Sequence, residues 1–372
     1  MSNVKSVDAD LDSRITAENA ILNPEQFDLD DSLLLPFHDC HSANHAIVMS
    51  HASAATIDRS ESAEATMRSA ASPANPSVSY DGSRAIYRLL RVAAWGSPLM
   101  NLGYFGFRGP FAFLNLLVPL DSAQHQLVMQ SARLLDVQGG QQILDLACGR
   151  GKSSYMIQCL HPQSSVVGLD LVERHVEAAQ TLFGNTRNLS YVAGNAMLLD
   201  IPNDSFDRVM CIEAAFHFSD RGQFLREAFR VLRPGGRLVV VDFAWNSDAD
   251  GLHRDDPETR HVRQIWQWDD FSSIPEYDRM GKRSGFRLAG CHDWTRRVTR
   301  PIQMQLRCAT RLSRTRFGRS FLRWRNPLYE SFSSDDWQAC TEAAAAHDHV
   351  QRYSKYMAFV FEKPLASRER KS

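Results

Sequence analysis

The run Gln141-Gln142-Ile143-Leu144-Asp145-Leu146-Ala147-Cys148-Gly149-Arg150-Gly151-Lys152-Ser153-Ser154 decides how the rest of the chain is read. It opens as a short apolar stretch, breaks at two glycines and continues into residues that suit the start of a helix. That is the pattern of a strand, a tight loop and a helix N-terminus. Glycine has no Cβ and tolerates positive φ, so a ligand can lie against such a loop. The unpaired N–H groups of the helix start then face the carboxyl end of the strand.

Spacing separates three possible ligands. Gly151-Lys152-Ser153 suggests a P-loop, but the required earlier glycine falls on Leu146, so that reading fails. A dinucleotide fingerprint, Gly-x-Gly-x-x-Gly, is met by Gly149 and Gly151 but not by Ser154. The third ligand is S-adenosylmethionine. The stretch resembles the first motif of the class I methyltransferases in the variant Asp-x-Ala-Cys-Gly-x-Gly, carried here by Asp145, Ala147, Cys148, Gly149 and Gly151.

The segments that follow decide among these ligands. Strand and helix patterns alternate from Gln141, which predicts a Rossmann-like α/β fold: a seven-stranded, mostly parallel sheet with helices on both faces, plus helical lid elements. Strand two, Ser165–Asp170, ends in a carboxylate 21 residues beyond Gly149, placed to accept from ribose hydroxyls. Strand three, from Leu189, leads to Gly194-Asn195-Ala196-Met197 and Pro202-Asn203-Asp204-Ser205-Phe206-Asp207. This resembles the methyltransferase segment in which an Asp-Ala pair contacts adenine; Asn195 replaces that Asp, and its amide oxygen can still accept from the adenine amino group. Strand four runs to Glu213. A helix from Arg221 stops at Leu232-Arg233-Pro234-Gly235-Gly236, a sharp turn ahead of strand five and another methyltransferase signature. The resemblance implies S-adenosylmethionine as cofactor, with Asp145, Ala147, Gly149, Gly151, Asp170, Leu171, Asn195, Ala196 and Glu213 around it.

Outside 139–245 the reading thins. Residues 1–80 are rich in Ser, Ala, Asp and Asn and read as a disordered tail. Within it His38, Asp39, Cys40 and His41 make a metal site conceivable, though a His-rich polar tail explains them as well, and no metal is assigned. Leu33-Leu34-Leu35 could dock on the folded part. A helical cap is expected over 81–138, with Ala85–Val92 as one helix and Asp121–Val137 as another, capped by Asp121 or Ser122. Trp95–Phe107 is rich in glycine and aromatics; its Asn101-Leu102-Gly103-Tyr104 resembles a segment that covers the cofactor in small-molecule methyltransferases. Residues 246–364 complete the domain with lid insertions, and 365–372 form a tail. Asp293-Trp294-Thr295 with Val298 partly resembles tocopherol methyltransferase-like enzymes. From Arg296 to Arg325 lie ten arginines and no acid. They suit a phosphate-bearing or carrier-bound substrate, an anionic membrane surface, or pairing with the acidic 248–270 segment.

Composition bounds the rest. The 372 residues are 44% hydrophobic and 23% charged with net charge -1, an ordinary globular balance that opposes general nucleic-acid binding. Seven scattered cysteines form no Cys-x-x-Cys pair, so a reducing, cytoplasmic setting is expected. No membrane span or secretory signal is expected.

Methyl transfer from a sulfonium needs alignment, exclusion of water and, for a hydroxyl acceptor, a base. In related natural-product O-methyltransferases a His and an Asp after strands four and five act as base and partner, which implies His217 and Asp242 here. Tyr104, Trp266 and Trp268 could wall an apolar acceptor pocket. The expected function is methylation of a small molecule, carrier-bound or amphipathic, at oxygen in a specialised metabolite. Alternatives are C- or N-methylation of a lipid- or quinone-like acceptor, an RNA-binding methyltransferase or adaptor, and a non-catalytic cofactor-binding partner.

Overall fold

The computed structural model describes residues 85–94 and 97–365. The expected tail, its histidine cluster, Leu33–Leu35, Trp95 and the last residues lie outside them.

Seven strands form one sheet: β1 Gln142–Leu146, β2 Ser165–Asp170, β3 Leu189–Ala193, β4 Phe206–Ile212, β5 Leu232–Trp245, β6 Arg287–Asp293 and β7 Ser354–Glu362, in the order β3-β2-β1-β4-β5-β7-β6. Neighbours from β3 through β5 pair in parallel, while β7 runs antiparallel between β5 and β6. The order reverses between β1 and β4, and a ligand crevice belongs at the carboxyl ends of strands flanking such a reversal.

The strands sort their side chains by alternation. Val209 and Cys211 of β4 and Leu238 and Val240 of β5 join one buried cluster with Phe224 and Leu225. Met210, Val239 and Val241 point the other way, into a cluster with Leu127 and Ile157. The covering helices are α2 Leu120–Leu135, α3 Lys152–Leu160, α4 Glu173–Phe183, α5 Arg221–Val231 and α7 Ile274–Arg283, counting α1 Ala85–Ala93 ahead of them and α6 Pro257–Trp266 before α7. Asp220 accepts from Gln223 N at the start of α5, and Ser273 and Glu276 form a capping box on α7. Helix α2 departs from expectation: it starts after Pro119, and neither Asp121 nor Ser122 caps it. Proline's fixed φ favours the extended entry, leaving Asp121 in the first turn.

At Leu232–Gly236 helix α5 stops as expected, but the chain is already paired as strand. Phe206 faces Leu232 and Arg208 faces Arg237, so the Arg-Pro-Gly-Gly residues bulge out of the ladder. Gly235, at φ +79°, makes the turn and its N–H bonds Lys363 O. A left-handed conformation of this kind favours glycine.

A second layer consists of α1, α6, α8 Thr299–Ser313, α9 Arg316–Arg325 and α10 Ser334–Val350. Ile86, Ile265, Leu306, Leu322 and Trp337 bring all five into one apolar cluster.

Candidate cofactor and acceptor site

The turn after β1 is built on positive φ: Ala147 at +56°, Gly149 at +56° and Gly151 at +82°. Ala147 carries a strain of about 1 kcal/mol that glycine would avoid. Gly151 is required by packing as well. A Cβ there would lie 2.6 Å from Ala179 Cβ and 2.7 Å from the Tyr191 ring, and Tyr191 donates its hydroxyl to Gly151 O at 2.7 Å. A Cβ on Gly149 would meet the end of Met100 at 2.3 Å. The segment before α2 therefore lies across the turn.

Around this turn each acid already holds the backbone or a hydroxyl. Asp145 accepts from Ser153 and Ser154 at 2.6 and 2.7 Å, and burial raises its carboxyl to about 6. Asp170 accepts from Gly149 N at 2.8 Å and Val172 N at 2.9 Å. Asp170 Oδ1 also faces His175 Nδ1 at 3.3 Å, which leaves Oδ2 as its oxygen with room for a further donor. Asn195 accepts from Met197 N at 2.9 Å, which fixes the turn that carries Ala196. Leu171 and Leu198 are exposed beside these turns, and Ala196 is buried. Thus Asp145, Ala147, Gly149, Gly151, Asp170, Leu171, Asn195 and Ala196 all stand at the carboxyl ends of β1, β2 and β3 or on the turns that follow.

Glu213 closes β4 at φ +49°. Its Oε1 accepts from Leu102 N at 2.9 Å and Tyr356 hydroxyl at 2.6 Å. Burial outweighs both bonds and raises the carboxyl to about 7. Glu213 lines a largely apolar cleft of about 1160 Å³, its open mouth included. The cleft runs from Arg150 and Asn101 at the glycine turn past Phe216 and Phe243 to Trp266 and Trp268 under the helical layer. One buried acceptor stands out on its wall. Gln124, 3% exposed, donates to Asn101 O at 2.7 Å and Leu99 O at 3.3 Å, yet its Oε1 has no partner among the described residues.

The two tryptophans reach the cleft as expected. Tyr104 does not line it: it packs edge-on to Trp294 at 5.3 Å, with the Arg297 guanidinium 5.4 Å from its ring. His347, unflagged by the sequence, sits on the cleft wall with both nitrogens engaged. Nδ1 donates to Ala343 O at 2.6 Å, and Nε2 accepts from Trp266 at 2.8 Å.

His217 and Asp242 are each engaged by other partners. Asp242 is fully buried, accepting from Tyr277 hydroxyl and Phe243 N at 2.8 Å each, and desolvation raises its carboxyl to about 7. His217 Nδ1 faces Gln267 O at 3.2 Å, and burial lowers its imidazole to about 4. A carbonyl only accepts, so Nδ1 carries the proton and Nε2 is the basic nitrogen. Asp242 also takes the N–H of Phe216, one residue before His217, so the two stand near one another while each holds other partners.

Leu102, Met100 and Gln124 complete the site from outside the sheet. Only the Asn-Leu-Gly-Tyr resemblance signalled any of them; Gln124 lies in an amphipathic helix where a buried polar residue has no distinctive spacing.

A family model described as a methyltransferase domain matches residues 144–240. The chain is 31% identical to O-methyltransferase resE of Aspergillus sclerotiorum over 45% of this chain and 63% of that protein. Identity is 32% to phthiotriol/phenolphthiotriol dimycocerosates methyltransferase 1 of Mycobacterium ulcerans over 48% of this chain and 72% of the relative. The aligned stretches span 49% to 67% of the length of the first O-methyltransferases and methyltransferases matched. The fold also matches a crystal structure titled as the cyclase SpnF, with TM-score 0.56 and 18% identity, over 76% of this chain and 94% of that one. The motif at the glycine turn, the strand order with β7 reversed, and these matches agree: the chain belongs to the class I S-adenosylmethionine-dependent methyltransferases.

Proposed function

We propose that this chain methylates a hydroxyl of an apolar small molecule held in the cleft, with S-adenosylmethionine as methyl donor. The observation that carries the reading is one continuous cleft, apolar at the helical end, that meets a titratable carboxyl and the glycine turn at the switch point. The turn, the remaining lone pair of Asp170 Oδ2 and the orphaned Gln124 Oε1 suit a ligand with hydroxyl and ammonium donors. Asp170 would take ribose hydroxyls, Leu171 and Ala196 with Asn195 the adenine, and Gln124 with the turn at Gly149 the amino-acid end. The bound cofactor supplies an activated methyl group; the chain must hold the acceptor oxygen in line behind it and exclude water.

Glu213 takes the acceptor proton in this reading. Its Oε1 is occupied by Leu102 and Tyr356, which leaves Oε2 for the acceptor. Near pH 7 a carboxyl raised to about 7 is divided between acid and base, and a sulfonium nearby would favour the ionised form. His347 is excluded as base by the indole on its Nε2. His217, through Nε2, is the second proposal for this role. The acceptor's hydrophobicity agrees with the dimycocerosate named for one relative, and oxygen as the methylated atom agrees with the name of another.

Incubation with methyl-labelled cofactor and apolar metabolite extract, read by mass spectrometry, tests the activity. Labelled product with a methyl ether is expected. Cofactor binding by calorimetry with no labelled product would reject it in favour of a non-transferring partner, and a new carbon–methyl bond would reject oxygen as the acceptor. Glu213→Gln and His217→Ala then separate the two bases.

A further inference from the structure

Helix α9 is held to the layer by Gly318 and Leu322, which are buried. Its outward side carries Phe317, Phe321 and Trp324, spaced four and three residues apart and so aligned in one stripe. Phe317 is 82% and Trp324 79% exposed. Such a stripe on an ordinary surface helix would be polar. Arg316 and Arg323 flank it, Arg325 ends the helix, and Arg311 and Arg314 precede it, all exposed and without an ion pair among the described residues. The acidic segment does not neutralise them: Asp248 pairs with Arg279, Asp270 with Arg254, and Asp256 with His253 and His349. No acid occurs between Thr295 and Tyr329. Next door, Arg300, Arg307 and Arg311 of α8 line a shallow groove with Leu116, and the segment before it exposes Phe111, Phe113 and Leu117.

We infer that this face docks on a membrane surface rich in anionic phospholipid, with the aromatic stripe of α9 at the headgroup boundary and the arginines on lipid phosphates. Exposed Phe and Trp beside unpaired arginines form the composition of an interfacial helix. Charge complementarity selects an anionic surface, and the aromatic stripe selects a bilayer over a soluble acidic protein, which would need only the charges. The placement suits the cleft. Helix α8 carries Arg307 and Arg311 on its exposed side and contributes Ile302, Gln303 and Leu306 to the cleft wall, so the docked layer is the one that admits an apolar acceptor. The docking itself does not depend on the proposed methyl transfer.

Flotation of the full chain with phosphatidylcholine vesicles, with and without phosphatidylglycerol, reads the inference. Expected is partition onto the anionic vesicles only, weakening as salt rises. Arg316→Gln, Arg323→Gln and Arg325→Gln should each lower partition about fivefold, and Phe317→Ser with Trp324→Ser should abolish it. These positions are exposed, so thermal unfolding and cofactor binding should stay unchanged and report intact folding. A folded protein that floats with neither vesicle overturns the inference. So does binding insensitive to the arginines, self-association lost in Trp324→Ser, or retention of an acidic carrier protein by the arginines without vesicle binding.

Discussion

The sheet and the helical layer above it are made from similar residues yet hold together by different logic. In the sheet, geometry is local. A strand of alternating apolar residues, a turn that demands positive φ and a carboxylate at a strand end are each fixed within a few positions. In the layer, the decisive pairs are distant. Trp266 reaches His347, and the Arg88–Asp336 ion pair ties α1 to α10. Substitutions in the first region should therefore act on folding and cofactor together, and those in the second on the acceptor.

Gly151→Val is the severest test of the sheet side. The new side chain would strike Ala179 and Tyr191 at a φ that disfavours it, and a loss of about 2–5 kcal/mol is expected in denaturant unfolding. Gly149→Ala sharpens the point. Only the flexible end of Met100 opposes it, so stability should fall by about 1 kcal/mol while cofactor heat in calorimetry is lost. Equal damage to folding from both variants would break the distinction.

Glu213→Gln sits where the two regions meet. Turnover should fall at least about a hundredfold, with stability little changed. In the parent, kcat/KM should rise as pH passes upward through about 7, because the ionised carboxylate is the active form. The variant should lose that limb. If His217→Ala erases the limb instead, the second proposal for the base replaces the first.

Asp242→Asn probes the core by pH. The ordinary value of 3.8 is raised to about 7 in the folded chain. A folded value above the unfolded one gives stability that is complete below about pH 4 and lost as pH rises through about 7. Glu213 and Asp145 are shifted the same way. The cofactor-free chain should melt at lower temperature at pH 8 than at pH 5, and Asp242→Asn should flatten part of that slope. An unchanged slope would assign it to Glu213 and Asp145.

How far the sequence could be read follows from this division. The alternation of strand and helix, the glycine turn and the acid closing β2 were legible because each repeats a local requirement. Strand β5 was read short at its start, since Arg-Pro-Gly-Gly signals a turn and only the pairing of Phe206 with Leu232 shows that the strand begins before it. The partners of His217 and Asp242 were hidden for a related reason: periodicity does not say that Tyr277 will claim Asp242 or that Gln267 O will hold His217. Gln124 and His347 were invisible because a buried polar group in a helix is recognised by what surrounds it.

Asn195→Asp is expected to have the smallest effect, and it tests the one cofactor position where this chain departs from the family pattern. Asn195 Oδ1 already accepts from Met197 N at 2.9 Å, and a carboxylate would keep that bond. The variant adds charge and a second acceptor for an adenine amino group, at the cost of repulsion from Asp170 across the cofactor. Charge-assisted bonds exceed neutral ones by about 1 kcal/mol, so cofactor affinity should tighten by less than about tenfold, with kcat unchanged. A gain in kcat would mean that the turn at Asn195 also positions the acceptor. A large loss of affinity would mean that the amide donates there, and that the contact with the base is reversed.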